Sequence, residues 1–144
     1  MKKKICIREY HLQCSRTLGK PGKLRLAFLT DLHNRTEGEE GERIWELLDS
    51  AAPDLVLVGG KPGKDIRAAV DFIKALAARY PVWYANGNHE QRITKHPEEY
   101  GVMGEIYDQE MKKTGAVRLI NEKAKVEIRG IPVTIYGFEP EERY

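Results

Sequence analysis

An aspartate and a histidine two positions apart, Asp31 and His33, and an asparagine followed directly by a histidine, Asn88 and His89, have the types and spacing of a metal-assisted hydrolytic site. Asp31 offers a carboxylate and His33 an imidazole nitrogen, so a loop presenting both would direct them at one cation of the Mn, Fe or Zn kind. Asn88 adds a neutral carbonyl oxygen. That donor suits an oxygen-rich hydrolytic centre better than a structural zinc site, because the metal must keep room for water and substrate. His89, next to that ligand, is then placed to act on the substrate. Gly87, without a Cβ, would let the chain turn tightly enough for its neighbours to converge. Each residue also has a plainer role: Asp31 as a turn cap, His33 as a partly buried, hydrogen-bonded ring, and Asn88-His89 as a turn of the kind asparagine favours.

For these residues to meet, strands and helices must carry them to one place. Residues 5–12 and 24–30 read as strands, parted by the turn-rich Leu18-Gly19-Lys20-Pro21-Gly22-Lys23, and the second is expected to be the more buried. From 41 to 51 the apolar Ile44, Trp45, Leu47, Leu48 and Ala51 recur at helical spacing, and Pro53 ends that helix before the buried strand Asp54-Leu55-Val56-Leu57-Val58. Asp65 stands where an N-cap belongs. Ile66, Ala69, Val70, Ile73, Leu76, Ala77 and Tyr80 then mark one face of a helix of about four turns, closed by Pro81. Val82-Trp83-Tyr84-Ala85 reads as a third buried strand, and residues 97–114 as a further helix with Tyr107 and Met111 on its apolar side. Short strands are expected at 117–120, 125–129 and 131–138, the last two joined by a tight turn at Arg129-Gly130.

Strand, helix, strand, helix, strand over residues 24–85 predicts βαβ units, hence an α/β fold with a parallel sheet and right-handed crossovers. Chemistry in such folds sits at the carboxyl ends of strands. Three segments follow those ends: Asp31-Leu32-His33-Asn34, Gly59-Gly60-Lys61-Pro62-Gly63 and Gly87-Asn88-His89-Glu90. All three are expected on one sheet edge, with ligand-type residues at two of them.

These motifs carry a resemblance. Leu29-Thr30-Asp31-Leu32-His33-Asn34 is similar to the Asp-x-His motif that opens the calcineurin-like metallophosphoesterases, and Gly87-Asn88-His89-Glu90 resembles that family's Gly-Asn-His-Glu/Asp motif. Pro53-Asp54-Leu55-Val56-Leu57-Val58-Gly59-Gly60 looks like the strand that leads into its Gly-Asp motif, so the likeness runs from residue 24 onward. It implies a parallel or mixed β-sheet layered with helices, half of a four-layer αββα sandwich. It also implies two divalent cations (Mn, Fe, Zn or Mg) roughly 3.5 to 4 Å apart, with hydrolysis of a phosphomonoester, phosphodiester or pyrophosphate bond. By the same resemblance Asp31 and His33 would bind the first metal and Asn88 the second, while His89 would be the general acid or stabilise the leaving oxygen. Two departures stand beside it. Lys61 stands where the family has the Asp that bridges the two metals, a cation where two cations should meet, either because the Asp is substituted or, the favoured alternative, because a few residues are lost between Gly60 and Lys61. Asp65 could replace that carboxylate but is better placed as an N-cap. The later His motifs have no counterpart after His96, and the chain stops at Tyr144, so the resemblance implies a partial domain. A half-sheet of that kind would expose an edge, and self-association through it is expected.

Composition agrees with one domain over residues 1–144: the 144 residues are 41% hydrophobic and 32% charged. Lys plus Arg number 24 against 22 Asp plus Glu, both signs are dispersed, and no nucleic-acid partner is expected; a small phosphate-containing substrate fits. Arg8, Glu9 and His11 interrupt any apolar run after Lys2-Lys3-Lys4, so neither a signal peptide nor a membrane span is expected. Cys6 and Cys14 match no zinc or redox spacing and suit reduced thiols near a core in the cytoplasm. His11 and His96 read as surface residues. Two other readings compete with the enzyme. One is a catalytically incomplete binding module that keeps the fold; the other is a nucleotide-binding domain suggested by Gly59-Gly60-Lys61-Pro62-Gly63-Lys64, whose glycines are too close for a phosphate loop and whose Lys64 is followed by Asp65.

Overall fold

Pro53 and Pro81 are each followed closely by a short run of apolar residues with no polar alternation, the pattern of a strand covered on both faces. The structure, a computed structural model, describes residues 5–13, 22–30, 32–33, 35–36, 38–60 and 65–141. In it these two runs are β2 (Leu55–Gly59) and β3 (Val82–Ala85), the central strands of a four-stranded sheet. β1 (Leu26–Thr30) and β4 (Val117–Arg118) flank them in the order β1-β2-β3-β4, and every pairing is parallel. Right-handed crossovers between strands laid down in sequential order put their helices on one face. Accordingly α1 (Gly38–Ala51), α2 (Ile66–Ala77) and α5 (Met103–Lys112) cover Val56, Val58, Val82 and Tyr84 with Ile44, Leu48, Ile73, Leu76 and Met111.

Local chemistry sets the helix ends. Asp65 is the N-cap of α2, its Oδ1 accepting from the Ala68 N–H at 2.8 Å. The helix expected from residue 97 is two: Gly101, with φ 58°, breaks it into α4 (Pro97–Tyr100) and α5. A further helix, α3 (Asn88–Lys95), precedes them; its sequence NHEQRITK contains one apolar residue, Ile93, so no apolar stripe announced it.

The other face of the sheet is covered by a hairpin. β5 (Glu122–Ile128) and β6 (Ile131–Gly137) pair antiparallel around Arg129 and Gly130, whose φ values of 53° and 78° are those of the two-residue turn that matches strand twist. Their inner side chains, Ala124, Val126, Ile128, Val133 and Ile135, pack on Leu55, Leu57 and Trp83. Arg129 Nη1 reaches Asp54 Oδ1 at 3.2 Å, and the same carboxylate accepts from the Arg25 N–H through Oδ2 at 2.8 Å, which ties the turn to the amino edge of the sheet. The layers are thus helices, parallel sheet and hairpin.

Three expectations are corrected. Residues 5–13 form no strand: Ile5 touches the core, while Ile7, Tyr10 and Leu12 are exposed, and a strand without a ladder partner is not stable. β1 is more buried than residues 5–13, as expected, but it is an edge strand and not one covered on both faces, and the hairpin leaves Leu26 50% and Phe28 66% exposed. Cys6 is an exposed free thiol, and Cys14 lies outside the described residues. No helix among the described residues is long and apolar enough to cross a membrane.

Beneath the carboxyl edge the hydroxyls of Tyr84 on β3 and Tyr107 on α5 hydrogen-bond to each other in the core, beside Arg118, whose Nη1 holds Asp108 Oδ1 at 2.6 Å. Burial pushes both phenols far above their ordinary range, Tyr84 with further help from Tyr107 and Glu90. Both phenols are therefore still protonated in the folded chain at a pH where unfolded tyrosines have ionised. The stability they contribute is complete below about pH 10 and falls by roughly 1.4 kcal/mol per tyrosine for each pH unit above it. Melting temperature should drop steeply above about pH 10, and the drop should flatten in Tyr84→Phe/Tyr107→Phe; equal slopes would show that neither phenol is linked to folding.

Candidate functional site

The register of the sheet aligns the exits of β1, β2 and β3: Thr30 pairs with Gly59, and Gly59 with Ala85. Loops leaving these strands therefore start from one edge, although neighbouring strands lie about 4.8 Å apart and the β1 and β3 loops must reach over the end of β2. Small residues leave that path open. Gly60, at φ 85°, donates its N–H to Ala85 O at 3.0 Å, and a Cβ on it would stand 3.8 Å from Gly87 Cα, so the β2 exit folds onto the β3 exit. The glycine that the backbone requires here is Gly60. Gly87 is extended, with φ −93° and ψ −175°, and makes no tight turn.

After β1, Leu32 is buried in the main core and its carbonyl accepts from the Arg35 N–H at 3.0 Å. His33 lies inside that turn in the left-handed region, φ 46°, with its ring exposed, so it is not the partly buried histidine of the plainer reading. Asp31 lies outside the described residues, as do residues 61–64 with Lys61.

After β3, Asn88 and His89 are the first two residues of α3 rather than part of a loop, and both are exposed. What holds them is the residue behind them. Glu90 is 1% exposed, and its Oε2 accepts from the Gly87 N–H at 2.7 Å, so one orphan donor at the helix start is satisfied by the carboxylate three residues on. Its Oε1 is buried without a hydrogen-bond partner among the described residues. On either side, Asn86 Nδ2 donates to Glu139 Oε1 at 3.1 Å, and Gln91 Nε2 to Pro140 O at 2.6 Å. The sequence reading missed these supports. The Gly87-to-Glu90 spacing is a capping signal, whereas nothing near Asn86 or Gln91 points to residues 139–140.

The fit of metal to these donors is partial. His33 and Asn88 offer an imidazole and an amide oxygen at the same sheet edge, a chemistry suited to one cation of the Mn, Fe or Zn kind. No three His, Cys, Asp or Glu side chains among the described residues form a group that would hold a metal ion. Asp65, committed to its helix, is not a replacement for a bridging carboxylate.

Comparison with protein-family models, with curated proteins and with solved structures returns no match.

Proposed function

We propose that the chain carries the metal-binding edge of a metal-dependent phosphoric ester hydrolase of the calcineurin-like class, acting on a small molecule with a phosphomonoester, phosphodiester or pyrophosphate bond. One observation carries this reading: the segment with Leu32 and His33 and the segment Gly87-Asn88-His89-Glu90 follow strands that end at the same edge of one parallel sheet, and the intervening β2 exit lies close to Gly87. The layering of helices, sheet and hairpin is compatible with half of a four-layer αββα sandwich.

In this reading Asp31 and His33 hold one cation and Asn88 the second. Bound metal would supply charge stabilisation and an activated water. His89, exposed beside Asn88 at the start of α3, holds the proton that the leaving oxygen needs. The first-turn N–H groups of α3 lack intrahelical partners and favour an anion such as a phosphoryl group near Asn88 and His89.

Lys61 favours a second reading, a module that keeps the fold and binds metal weakly or through one site, because its charge opposes a pair of cations. Calorimetric titration of the metal-stripped chain with Mn²⁺ separates the two. Binding in the micromolar range that is lost in both Asp31→Ala and His33→Ala is the expected result. A folded chain that takes up no Mn²⁺ would sink the enzyme reading.

A further inference from the structure

After β6 the chain does not extend the hairpin; residues 139 and 140 hydrogen-bond to Asn86 and Gln91, on the two sides of Asn88 and His89. Their path is set by a close approach. A Cβ on Gly137 would lie 2.3 Å from Leu119 Cβ and 2.4 Å from Leu119 O, so only glycine lets β6 press against the residue that follows β4. Leu119 is itself tied to the central sheet, its N–H donating to Tyr84 O at 2.9 Å. Asn121 Oδ1 then accepts from the Glu139 N–H at 2.9 Å, which fixes the backbone just where the side chain of Glu139 receives Asn86. One residue further on, Pro140 O receives Gln91. These two bonds join positions 53 and 49 residues apart, and the Gln91 bond is shielded, its residue being 5% exposed.

Asn88 and His89 are exposed and gain their placement from the backbone beneath them, and the first turn of a helix is where fraying begins. Glu90 secures Gly87 from within. The bonds from Asn86 and Gln91 secure the two flanks, and both depend on residues 139–140.

We propose that residues 138–141 are a brace that positions Asn88 and His89, with Asn86, Gln91 and Glu139 as positioning residues for the candidate site. This rests on the reading of Asn88 and His89 as site residues. The test compares the full chain with Gln91→Ala/Glu139→Ala, with Glu139→Gln, which keeps an oxygen acceptor for Asn86, and with Arg129→Ala, which loosens the hairpin at its far end. Two quantities are read: amide hydrogen exchange over residues 86–95 with α2 as internal reference, and affinity for Mn²⁺. Losing two such bonds should speed exchange over 86–95 about tenfold or more and weaken Mn²⁺ binding by a similar factor. Exchange in α2 should stay unchanged, and Glu139→Gln and Arg129→Ala should behave as the parent chain. Unchanged exchange over 86–95 overturns the brace. Faster exchange in 86–95 and α2 alike overturns it in favour of general stability, and faster exchange at 86–95 with undiminished Mn²⁺ affinity overturns the positioning role. A parent chain that binds no Mn²⁺ would defeat the metal reading, while exchange over 86–95 would still decide whether the brace orders this turn.

Discussion

Metal-dependent hydrolysis of a phosphodiester should fall by about 10²- to 10⁴-fold in His89→Ala, the range lost with a general acid. The imidazole is exposed at the second position of α3, so its removal should leave thermal stability within about 0.5 kcal/mol of the parent. Stability and turnover therefore separate, which a merely structural residue would not allow. The size of the loss should depend on the leaving group: an alkoxide needs a proton as its bond to phosphorus breaks, whereas a stable phenolate departs without one. The deficit should accordingly shrink for an activated aryl ester. Equal turnover in both forms, with metal demonstrably bound, would remove His89 from the mechanism; a proportional loss of folded protein would reassign it to stability.

Gly137→Ala should cost about 3 kcal/mol, on the order of 10 °C in melting temperature for a chain of this size. Replacing a glycine within a strand ordinarily gains about 0.5 to 1 kcal/mol by reducing the freedom of the unfolded chain. Here the added methyl would meet a backbone oxygen at 2.4 Å and a Cβ at 2.3 Å, both on Leu119. Leu119 is 5% exposed and hydrogen-bonded to β3, so it cannot retreat without opening the sheet, and the clash outweighs the entropic gain. Gly130→Ala, which meets nothing within 4 Å but has φ 78°, isolates backbone strain from crowding and should cost less. Denaturant unfolding of both variants checks the ordering; a Gly137→Ala chain as stable as the parent would mean that β6 does not press on Leu119.

What could be read from sequence follows the distance over which each feature is decided. The strands after Pro53 and Pro81, the Asp65 cap and the Arg129-Gly130 turn are settled by residues within a few positions, and all are where their sequence placed them. α3 was hidden because its eight residues carry a single apolar side chain, and the helix is held by a buried carboxylate at its start instead of an apolar stripe. Residues 5–12 show the converse error: an apolar-rich run looks like a strand, yet strand formation depends on an edge to pair with. For the candidate site, the exits of β1 and β3 were legible because strand order forces loops onto one edge. The contacts from Asn86 and Gln91 to residues 139–140 were not, since they are set by where the hairpin leaves Leu119.

The sequential order of the parallel strands also bears on how the chain reaches this structure. β1, β2 and β3 each pair with the next strand along, so the sheet can assemble through a series of short closures, each carrying a modest loop entropy. The bonds to residues 139 and 140 span 53 and 49 positions and need β4 and the hairpin already in place. By the same argument the sheet and its helical layer should form before these two bonds, and the start of α3 bearing Asn88 and His89 should gain its final alignment only when the chain beyond β6 has arrived. That part of the edge should then be the last to be completed, and a local opening that leaves the sheet intact should be enough to release it.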